Sequence, residues 1–432
     1  MERSAIRGHG PFHPEVPDFA SLHPGYNGTV AQNVPKMPKP LSIAIAGAGP
    51  AGLAAALFLH RDGHRVTLFE QFEAPRPLGS GLILQPTGLA VLDELGLGAR
   101  VLSLGSRLDR LFGCALPSGR IVLDVRYASL SRERFGLGVH RAALFNVLFD
   151  AVDAAAIPLE AARRVTGLER GADNRPLLVG ERGWRAGPFD LVVDALGVRS
   201  PLWPHFGGGG RRDLRYGALW GSLPWPQSGF DRHALEQRYE RASTMIGVLP
   251  IGRKREGEGE EAAFFWSLRL DDYDTWRRAG LEAWKERVGK LWPETEPFLT
   301  AIRDAAQMTL ARYGHHMLAR PFAERVVAIG DSFHAASPQL GQGANMALLD
   351  ARALAFALRS NDGLQGALAR YAKQRRRQMM YYQALSRGFT PFYQSDSGLL
   401  PPLRDFVIAP ATRLPLVRRL IAASVAGLVL AG

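Results

Sequence analysis

The glycine-rich stretch at residues 41–57 constrains the fold of this chain more than any other part of its sequence. It opens with an apolar, β-leaning run at 43–46, and Gly47, Gly49 and Gly52 follow in the order G-x-G-x-x-G. Gly47 permits a tight turn, Gly49 lets a diphosphate approach the backbone because it lacks a Cβ, and Gly52 allows helix and strand to pack closely. The spacing therefore predicts a phosphate-binding turn between a strand and a helix.

The residues after the glycines complete a β-α-β unit. An Ala/Leu-rich helical pattern runs from Ala51 to about Arg61, and a second strand pattern at 65–70 ends on Glu70. The N-terminus of such a helix offers unpaired N–H groups and the positive end of its dipole to phosphate oxygens. An acid in the position of Glu70 accepts hydrogen bonds from ribose hydroxyls. The alternative, a glycine-rich turn in an ordinary α/β core, leaves the acid and the glycine spacing to chance, so dinucleotide binding is favoured.

Length, charge and cysteine content narrow the class of protein. A chain of 432 residues is too long for one compact core, and its single cysteine, Cys114, excludes an intrachain disulfide. The net charge of +12 suits nucleic acid, an anionic membrane surface or an anionic dinucleotide; no nucleic-acid motif accompanies it, so we expect no nucleic-acid partner. We interpret the densest basic run, 375–377, as a solvated helix face. No signal segment and no apolar run of about twenty residues is visible, so we expect a cytoplasmic protein.

A second stretch has the same anion-binding character as the first. A strand pattern ends in Gly330 and Asp331, and a turn containing Pro338, Gly341 and Gly343 leads directly into a long helical pattern. This arrangement predicts a second helix N-terminus that is open to an anion. A nicotinamide cofactor needs one such site, whereas a flavin dinucleotide uses two, one for its diphosphate and one for the negative charge of its reduced ring. The pair of sites therefore indicates FAD.

With these motifs the chain resembles the single-component FAD-dependent aromatic hydroxylases, the para-hydroxybenzoate hydroxylase-like group A flavoprotein monooxygenases. Within them it is most similar to the ubiquinone-biosynthesis hydroxylase branch. The resemblance runs from residue 41 to the C-terminus and rests on 47–52 with Glu70, on Arg141 and on 330–345. It implies an α/β fold in which a Rossmann-like FAD-binding domain with a parallel sheet is interleaved with a mainly antiparallel β-sheet substrate domain, followed by C-terminal helices.

The expected organisation is a flexible N-terminal extension, a discontinuous FAD-binding domain, a substrate domain and a C-terminal helical region. In the same order, their boundaries are 1–40; 41–105, 141–205 and 320–360; 106–140 and 206–319; and 361–432. Within the substrate domain, strand patterns lie at 216–223, 244–249 and 262–270, and one helical pattern runs over 273–292. Trp220, Met245 and Phe265 lie in these strands, where core packing is favoured over an apolar ligand pocket.

The resemblance also implies a role for individual residues. The implied cofactor-binding set is Gly47, Gly49 and Gly52 at the FAD diphosphate, Glu70 at the adenosine ribose, Arg141 near the diphosphate–ribityl region, Asp331 at the ribityl chain, Pro338 beside the reactive edge of the isoalloxazine, and Gly343, Ala344 and Asn345 at the pyrimidine end of the ring. Gly330 and Gly341 belong to the same set without a more specific role. The flavin carries the chemistry, so no catalytic side chain is assigned. No cluster has metal-ligand spacing, and no metal is expected.

One position departs from the pattern of the family. Where the family has Asp-Gly after the strand near 190–195, this chain has Leu196 and Gly197. Asp194 lies two residues earlier, which in a strand keeps the same face. The aspartate of the family is implicated in binding both FAD and NAD(P)H, so its replacement bears on reduction by a pyridine nucleotide more than on flavin binding.

The implied reaction uses NADPH or NADH and O₂ to hydroxylate an apolar or aromatic small molecule through a flavin hydroperoxide. Two alternatives stay open: an FAD-dependent oxidase or reductase without oxygen insertion, and a flavin-binding protein without independent turnover. The apolar tail from Leu399 onward is expected to pack on the FAD domain, while a peripheral contact with a membrane or a second subunit stays open. Neither the substrate nor the oligomeric state follows from the sequence.

Overall fold

A computed structural model describes residues 39–74, 79–171, 173–360 and 362–430 of the chain. The predicted N-terminal extension lies outside the described residues except for Lys39 and Pro40. The described residues all fall within one compact unit, and the domain boundaries drawn from the sequence stay a prediction.

Strands and helices are interspersed between residues 42 and 194. From residue 212 onward, long strands, a group of helices and three further strands precede the C-terminal helices. The described strands are β1 (Ser42–Ala46), β2 (Arg65–Phe69), β3 (Gly81–Leu84), β4 (Ser106–Leu108), β5 (Arg110–Leu116), β6 (Arg120–Arg126), β7 (Gly136–His140), β8 (Leu159–Glu160), β9 (Val165–Arg170), β10 (Pro176–Gly180), β11 (Arg185–Ala186), β12 (Leu191–Asp194), β13 (Arg212–Pro224), β14 (Ala234–Glu240), β15 (Thr244–Gly252), β16 (Glu261–Arg269), β17 (Thr309–Met317), β18 (Val326–Ala328) and β19 (His334–Ala335). The described α-helices are α1 (Pro50–Arg61), α2 (Pro86–Glu94), α3 (Gly98–Leu104), α4 (Arg141–Ala154), α5 (Tyr273–Ala279), α6 (Leu281–Leu291), α7 (Glu296–Ala301), α8 (Gly343–Leu358), α9 (Gly363–Tyr393), α10 (Leu400–Leu403), α11 (Ala409–Ala411) and α12 (Pro415–Val425). A π-helical turn, Arg404–Ile408, joins α10 to α11.

The predicted β-α-β unit forms the centre of a parallel sheet. The strand order is β18-β12-β1-β2-β8, with β1 between β2 and β12 and every pair parallel. Side chains of β1 from Ile43 to Ala46 are fully buried, as expected for a strand covered on both faces. Helix α1 begins at Pro50, where a missing N–H costs nothing, and ends before Gly63, whose φ is +83°. This sheet confirms the predicted Rossmann-like half of the fold.

A second, larger sheet has the order β19-β17-β13-β16-β15-β14-β5-β6. Its pairs are antiparallel except for β14 and β5, so the sheet is mainly antiparallel, as predicted. Successive side chains of a strand point to opposite faces. In β16, Phe264 and Trp266 therefore pack on Trp284 of α6 in a hydrophobic core, whereas Phe265 points to the other face.

Two expectations about helices need correction. The single helical pattern over 273–292 is two helices, α5 and α6, because Gly280 between them has φ +86° and ψ 163°, which no helix contains. At the C-terminus, contrary to the expectation that the apolar tail packs on the FAD domain, it packs by one face and mainly against strands of the large sheet. Ala422, Val425 and Ala426 are buried in a core cluster with β5, β6 and β15, while Leu416 and Leu420 of the same segment are exposed.

The described residues include no helix that is both long enough and apolar enough to cross a bilayer.

Candidate functional site

A cavity of about 1450 Å³ lies where the parallel sheet meets the large sheet. Residues that follow β1, β2, β12 and β18 line it, namely Gly47, Glu70, Leu196 and Asp331. Side chains from β13, β15 and β16 form its other wall. Parallel α/β sheets place their ligands beyond the carboxyl ends of the strands, and this cavity has that position.

The three glycines after β1 have different surroundings. Gly47 has φ +105°, and a Cβ there would overlap the carbonyl oxygen of Ala195. A Cβ on Gly52 would overlap the carbonyl oxygen of Gly47, so these two residues are needed for the packing of the turn. A Cβ on Gly49 would meet nothing within 4 Å, because Gly49 faces the open cavity. Gly49 is the N-cap residue of α1 and has no side chain to cap it, and the first turn contains no acid, so the positive end of the helix is open.

Glu70 lies at the end of β2 on the cavity wall. Its Oε2 accepts a hydrogen bond of 3.0 Å from the N–H of Ala48, and its Oε1 accepts one of 3.2 Å from the N–H of Phe72. These bonds fix the carboxylate beside the glycine turn.

The second helix N-terminus opens onto the same cavity. Helix α8 begins at Gly343 without a side-chain cap, and Gly343 and Ala344 line the cavity. Asn345 does not line it. The fully buried Asn345 side chain donates to the carbonyl oxygens of Ile83 (3.0 Å) and Gly341 (2.9 Å) and accepts from the N–H of Gln85 (2.8 Å). It therefore holds the turn before α8 against β3.

The structure brings most of the predicted cofactor residues to the cavity. Those that line it are Gly47, Gly49, Glu70, Arg141, Asp331, Pro338, Gly341, Gly343 and Ala344. Gly52, Gly330 and Asn345 lie behind this wall and support it. Gly330 has φ +58°, and a Cβ there would lie 2.8 Å from the Cβ of Ala51. The roles assigned to individual residues by resemblance stay predictions.

Asp194 and Leu196 do not share a face, contrary to the expectation drawn from the alternation of side chains along a strand. Strand β12 ends at Asp194, so the alternation of a strand does not extend to Leu196. Asp194 is fully buried, where its carboxylate accepts from the hydroxyl of Ser200 (2.6 Å) and the N–H of Leu196 (3.1 Å). Burial raises the pKa of Asp194 to about 6. The side chain that lines the cavity at this turn is Leu196.

The wall formed by the large sheet is apolar and aromatic. Trp220 and Phe265 stack with ring centroids 4.4 Å apart, and together with Met245 they line the cavity. Met245 and Phe265 are also buried in a core cluster against which Trp220 packs, so the expected core packing is present and the same side chains form the cavity wall. The indole N–H of Trp220 donates to the hydroxyl oxygen of Tyr313 at 2.6 Å. Burial raises the pKa of the Tyr313 hydroxyl, which therefore stays protonated at physiological pH.

A neutral hydrogen-bonding pair lies further along the same wall. The Tyr239 hydroxyl donates to Oε1 of Gln237 at 2.9 Å, and burial raises the pKa of Tyr239 well above its ordinary value. We call this part of the cavity the substrate chamber; it is lined by Trp220, Gln237, Tyr239, Met245, Phe265 and Tyr313. These residues offer rings, apolar side chains and uncharged polar groups, a combination suited to a neutral ring compound.

A buried ion cluster behind the second motif was missed by sequence reasoning. Nε2 of His334, which lines the cavity, lies 2.7 Å from Oδ2 of Asp350, and Arg375 donates from Nε to Oδ1 at 2.7 Å. Burial alone would raise the pKa of Asp350, but His334 and Arg375 outweigh it and lower the pKa. The interpretation of 375–377 as a solvated face is wrong for Arg375, which is 4% exposed. The helical spacing of Arg375 with the buried Tyr371 and Gln378 was the available signal.

The residues present fit a flavin dinucleotide. Two helix N-termini without caps or first-turn acids open onto one cavity, and the space above Gly49 is free for a group that approaches the backbone. The cavity exceeds the roughly 300–1,000 Å³ of a pocket for one drug-sized ligand, which leaves room for a second small molecule.

Comparison with known proteins agrees with this geometry. The sequence profile of the FAD binding domain matches residues 41–383. The FAD-dependent urate hydroxylase of Klebsiella pneumoniae is 25% identical over 342 residues, covering 77% of this chain and 85% of the relative. Hispidin-3-hydroxylase of Neonothopanus nambi is 28% identical over 353 residues, covering 73% and 79%. The crystal structure of Klebsiella pneumoniae HpxO with FAD and uric acid superimposes with a TM-score of 0.74 at 20% identity, covering 89% of this chain and 97% of that one, a likeness of fold.

Proposed function

This chain belongs to the FAD binding domain family, and from that membership we propose that it is a monooxygenase that uses NADPH or NADH and O₂ to hydroxylate an uncharged aromatic or apolar small molecule. One observation carries the proposal: a single cavity joins two open helix N-termini to a chamber of neutral aromatic and apolar side chains. The names of the curated relatives, which are hydroxylases and monooxygenases, support it. An oxidase or reductase without oxygen insertion is not favoured by these relatives.

The glycine turn and the two helix ends would hold the cofactor. The N-terminus of α1 beside Gly49 would bind the diphosphate, and the fixed carboxylate of Glu70 would accept hydrogen bonds from a ribose. Asp331 would meet the ribityl chain. The N-terminus of α8 beside Ala344 would stabilise negative charge on the flavin ring by its dipole. Bound FAD would supply the activation of O₂ and the transfer of one oxygen atom.

The chamber would orient the substrate and keep water from it. Stacking against Trp220 and Phe265 would hold an aromatic ring by its face. Tyr313 accepts a hydrogen bond from Trp220, and among the described residues no acceptor is recorded for the Tyr313 O–H proton. That proton is therefore available to an oxygen or nitrogen atom of the substrate. Apolar side chains around it exclude water, which protects the oxygenating step from loss as H₂O₂.

The first experiment is anaerobic. Flavin-loaded protein is mixed with NADH or NADPH, with and without a panel of neutral aromatic compounds, and the visible flavin absorbance is followed. Bleaching by one nucleotide, followed by incorporation of ¹⁸O from ¹⁸O₂ into a product, is the expected result. A flavin that bleaches with dithionite but with neither nucleotide, in the presence or absence of every compound, would contradict a self-contained monooxygenase.

If NADH or NADPH reduces the flavin slowly, Leu196→Asp tests whether Leu196 is the cause. The variant adds a carboxylate on the cavity wall where the family has one, without changing the buried Asp194. A reduction rate that rises at least about tenfold, equivalent to about 1.4 kcal/mol of barrier, assigns slow reduction to Leu196. An unchanged rate assigns it to the need for a bound substrate or a separate reductase.

Tyr313→Phe tests the substrate chamber. Loss of the hydroxyl removes the hydrogen bond to a substrate and leaves the Trp220 N–H unpaired, so we expect kcat/KM to fall by about ten- to a hundredfold. The absorbance spectrum and occupancy of the flavin should not change. Equal kcat/KM for the variant and the wild type would remove Tyr313 from the substrate site.

A further inference from the structure

The outer face of the C-terminal segment is the largest exposed apolar feature in the described part of the chain. Among all the described residues eleven large hydrophobic side chains are exposed, and eight of them lie between 399 and 430. Leu399 and Leu416 are 83% and 81% exposed. We define the C-terminal face by its exposed apolar residues, Leu399, Leu403, Phe406, Val407, Leu414, Leu416 and Leu420, and by its arginines, Arg413, Arg418 and Arg419. Isolated exposed leucines need no explanation, but a cluster of this size indicates a contact with another apolar body.

The two parts of the C-terminal face belong to one surface. The π-helical turn that carries Phe406 and the helix α12 that carries Leu416 both contact strand β6. Arg120 of β6 lies over the ring of Phe406, 4.3 Å from its centroid, and the neighbouring Ile121 is itself 38% exposed. The two parts of the C-terminal face therefore border the same strand.

The charged side chains that define the C-terminal face are all positive. After Asp405 the sequence contains no acid, and its charged residues are Arg413, Arg418 and Arg419. Within the described residues, no ion pair is recorded for any of these three side chains. An apolar surface edged by unpaired arginines is complementary to an apolar layer covered by anions.

The other face of α12 is a wall of the cavity. Ile421, Ser424 and Val425 line the cavity, and the carbonyl oxygen of Val425 accepts a hydrogen bond of 2.6 Å from Nε2 of Gln342 at the start of α8. The carbonyl oxygen of Ser424 accepts one of 2.8 Å from the hydroxyl of Tyr382. One helix thus separates the chamber from the exposed face.

We propose that the C-terminal face binds the surface of a bilayer that contains anionic lipids. The eleven-residue helix α12 is too short to cross a bilayer, but it can lie in the interface with its leucines among the acyl chains and its arginines at the head groups. A second copy of the chain fits less well, because a two-fold contact would set these arginines against themselves, and Asp405, the acid nearest to them in sequence, is already paired with Arg404. If the chain has the proposed function, membrane binding would place α12 between the substrate chamber and the lipid layer. An apolar substrate would then come from that layer.

Vesicle sedimentation tests the proposal with the flavin-loaded full chain. Vesicles of phosphatidylcholine alone are compared with vesicles in which about a quarter of the lipid is phosphatidylglycerol, at low salt. The wild type should sediment with the anionic vesicles. The double variant Leu416→Ser/Leu420→Ser should bind at least about tenfold more weakly, since its apolar contribution is lost. Phe356→Ser, at a side chain that is 53% exposed on α8, is the matched apolar control and should bind as the wild type does.

A second pair of variants separates a local contact from attraction by the net charge. Arg418→Gln/Arg419→Gln should weaken binding to anionic vesicles by about tenfold, whereas Arg277→Gln/Arg278→Gln, at exposed arginines of α5, should not. Equal loss in both pairs would show diffuse attraction by the charge of +12 and overturn the proposal.

Sedimentation velocity without vesicles checks the alternative occupant. Wild-type dimers that become monomers in the leucine variant, with no vesicle binding by the wild type, would assign the C-terminal face to a second copy and overturn the proposal. None of these readouts needs turnover, so a failure of the monooxygenase assay and a failure of membrane binding are distinguishable.

Discussion

Replacing Asp194 by Asn should stabilise the protein at neutral pH and destabilise it in acid. The buried carboxylate of Asp194 has a pKa of about 6, well above the ordinary value of an aspartate, because burial disfavours its charged form. A raised pKa in the folded state means that the folded protein holds the proton more tightly than the unfolded chain does. The contribution of Asp194 to stability is therefore most favourable below about pH 4 and is lost as the pH rises through about 6.

The size of the effect follows from the pKa and the hydrogen bonds. Each pKa unit corresponds to about 1.36 kcal/mol, so ionised Asp194 costs the folded state about 3 kcal/mol at pH 7.5. Asn keeps an acceptor for the N–H of Leu196 but pairs less well with the hydroxyl of Ser200, a loss of about 1 kcal/mol. The net gain is about 2 kcal/mol at pH 7.5. It becomes a small loss near pH 4, where both forms of residue 194 are neutral in the folded protein.

Thermal unfolding of flavin-loaded protein between pH 4 and 8 measures this difference. An unfolding entropy near 2.1 cal/mol/K per residue over 432 residues converts the gain into a rise in Tm of about 2 °C at pH 7.5. Asp153→Asn removes an exposed carboxylate of α4 and controls for the loss of one charge. A difference in Tm between Asp194→Asn and wild type that is the same at pH 4 and pH 7.5 would refute the argument.

Two further substitutions test the architecture of the site. Gly52→Ala should lower the FAD content of the purified protein at least about tenfold, because the new Cβ would overlap the carbonyl oxygen of Gly47 and displace the phosphate-binding turn; full flavin absorbance per protein would contradict this. Arg375→Met should lower the free energy of unfolding in urea by about 3–5 kcal/mol, because it leaves the fully buried Asp350 carboxylate short of its charged partner. The exposed neighbour Arg376 provides the control, because Arg376→Met should change the free energy of unfolding by less than about 0.5 kcal/mol. Equal losses of unfolding free energy in the two variants would show that the buried pair of Arg375 and Asp350 does not stabilise the fold.

Local patterns predicted the parts of the fold that depend on neighbouring residues. The spacing of Gly47, Gly49 and Gly52 with an apolar strand before them and a helical pattern after them was sufficient to predict the β-α-β unit, since each part lies within a few residues of the next. The resemblance added the parallel sheet and the mainly antiparallel sheet, and both are present.

Features that depend on distant contacts could not be read from the sequence. Arg375 sits in a basic run, and only the tertiary approach of Asp350 makes it a buried ion-pair partner. Phe264 and Phe265 are identical in type, and the face that each presents is fixed by the register of β16 with its neighbours. Asn345 lies in a motif associated with the flavin, yet its side chain is used entirely by backbone groups of Ile83, Gln85 and Gly341.

The position of β1 at the middle of the parallel sheet has a consequence for biosynthesis. Its neighbour β12 is made about 150 residues after it, and β18, which covers the far edge of β12, follows only at Val326–Ala328. A nascent chain that has left the ribosome as far as residue 320 therefore has an uncovered strand edge, and the hydrogen bonds of Asn345 that fix the start of α8 do not yet exist. The glycine turn, although it is among the first elements to be synthesised, cannot belong to a complete flavin site until four fifths of the protein has been translated. Capture of the cofactor is thus a late step in the maturation of this protein, and a chain that stops short of β18 offers a quality-control system an uncovered strand edge as well as an incomplete cofactor site.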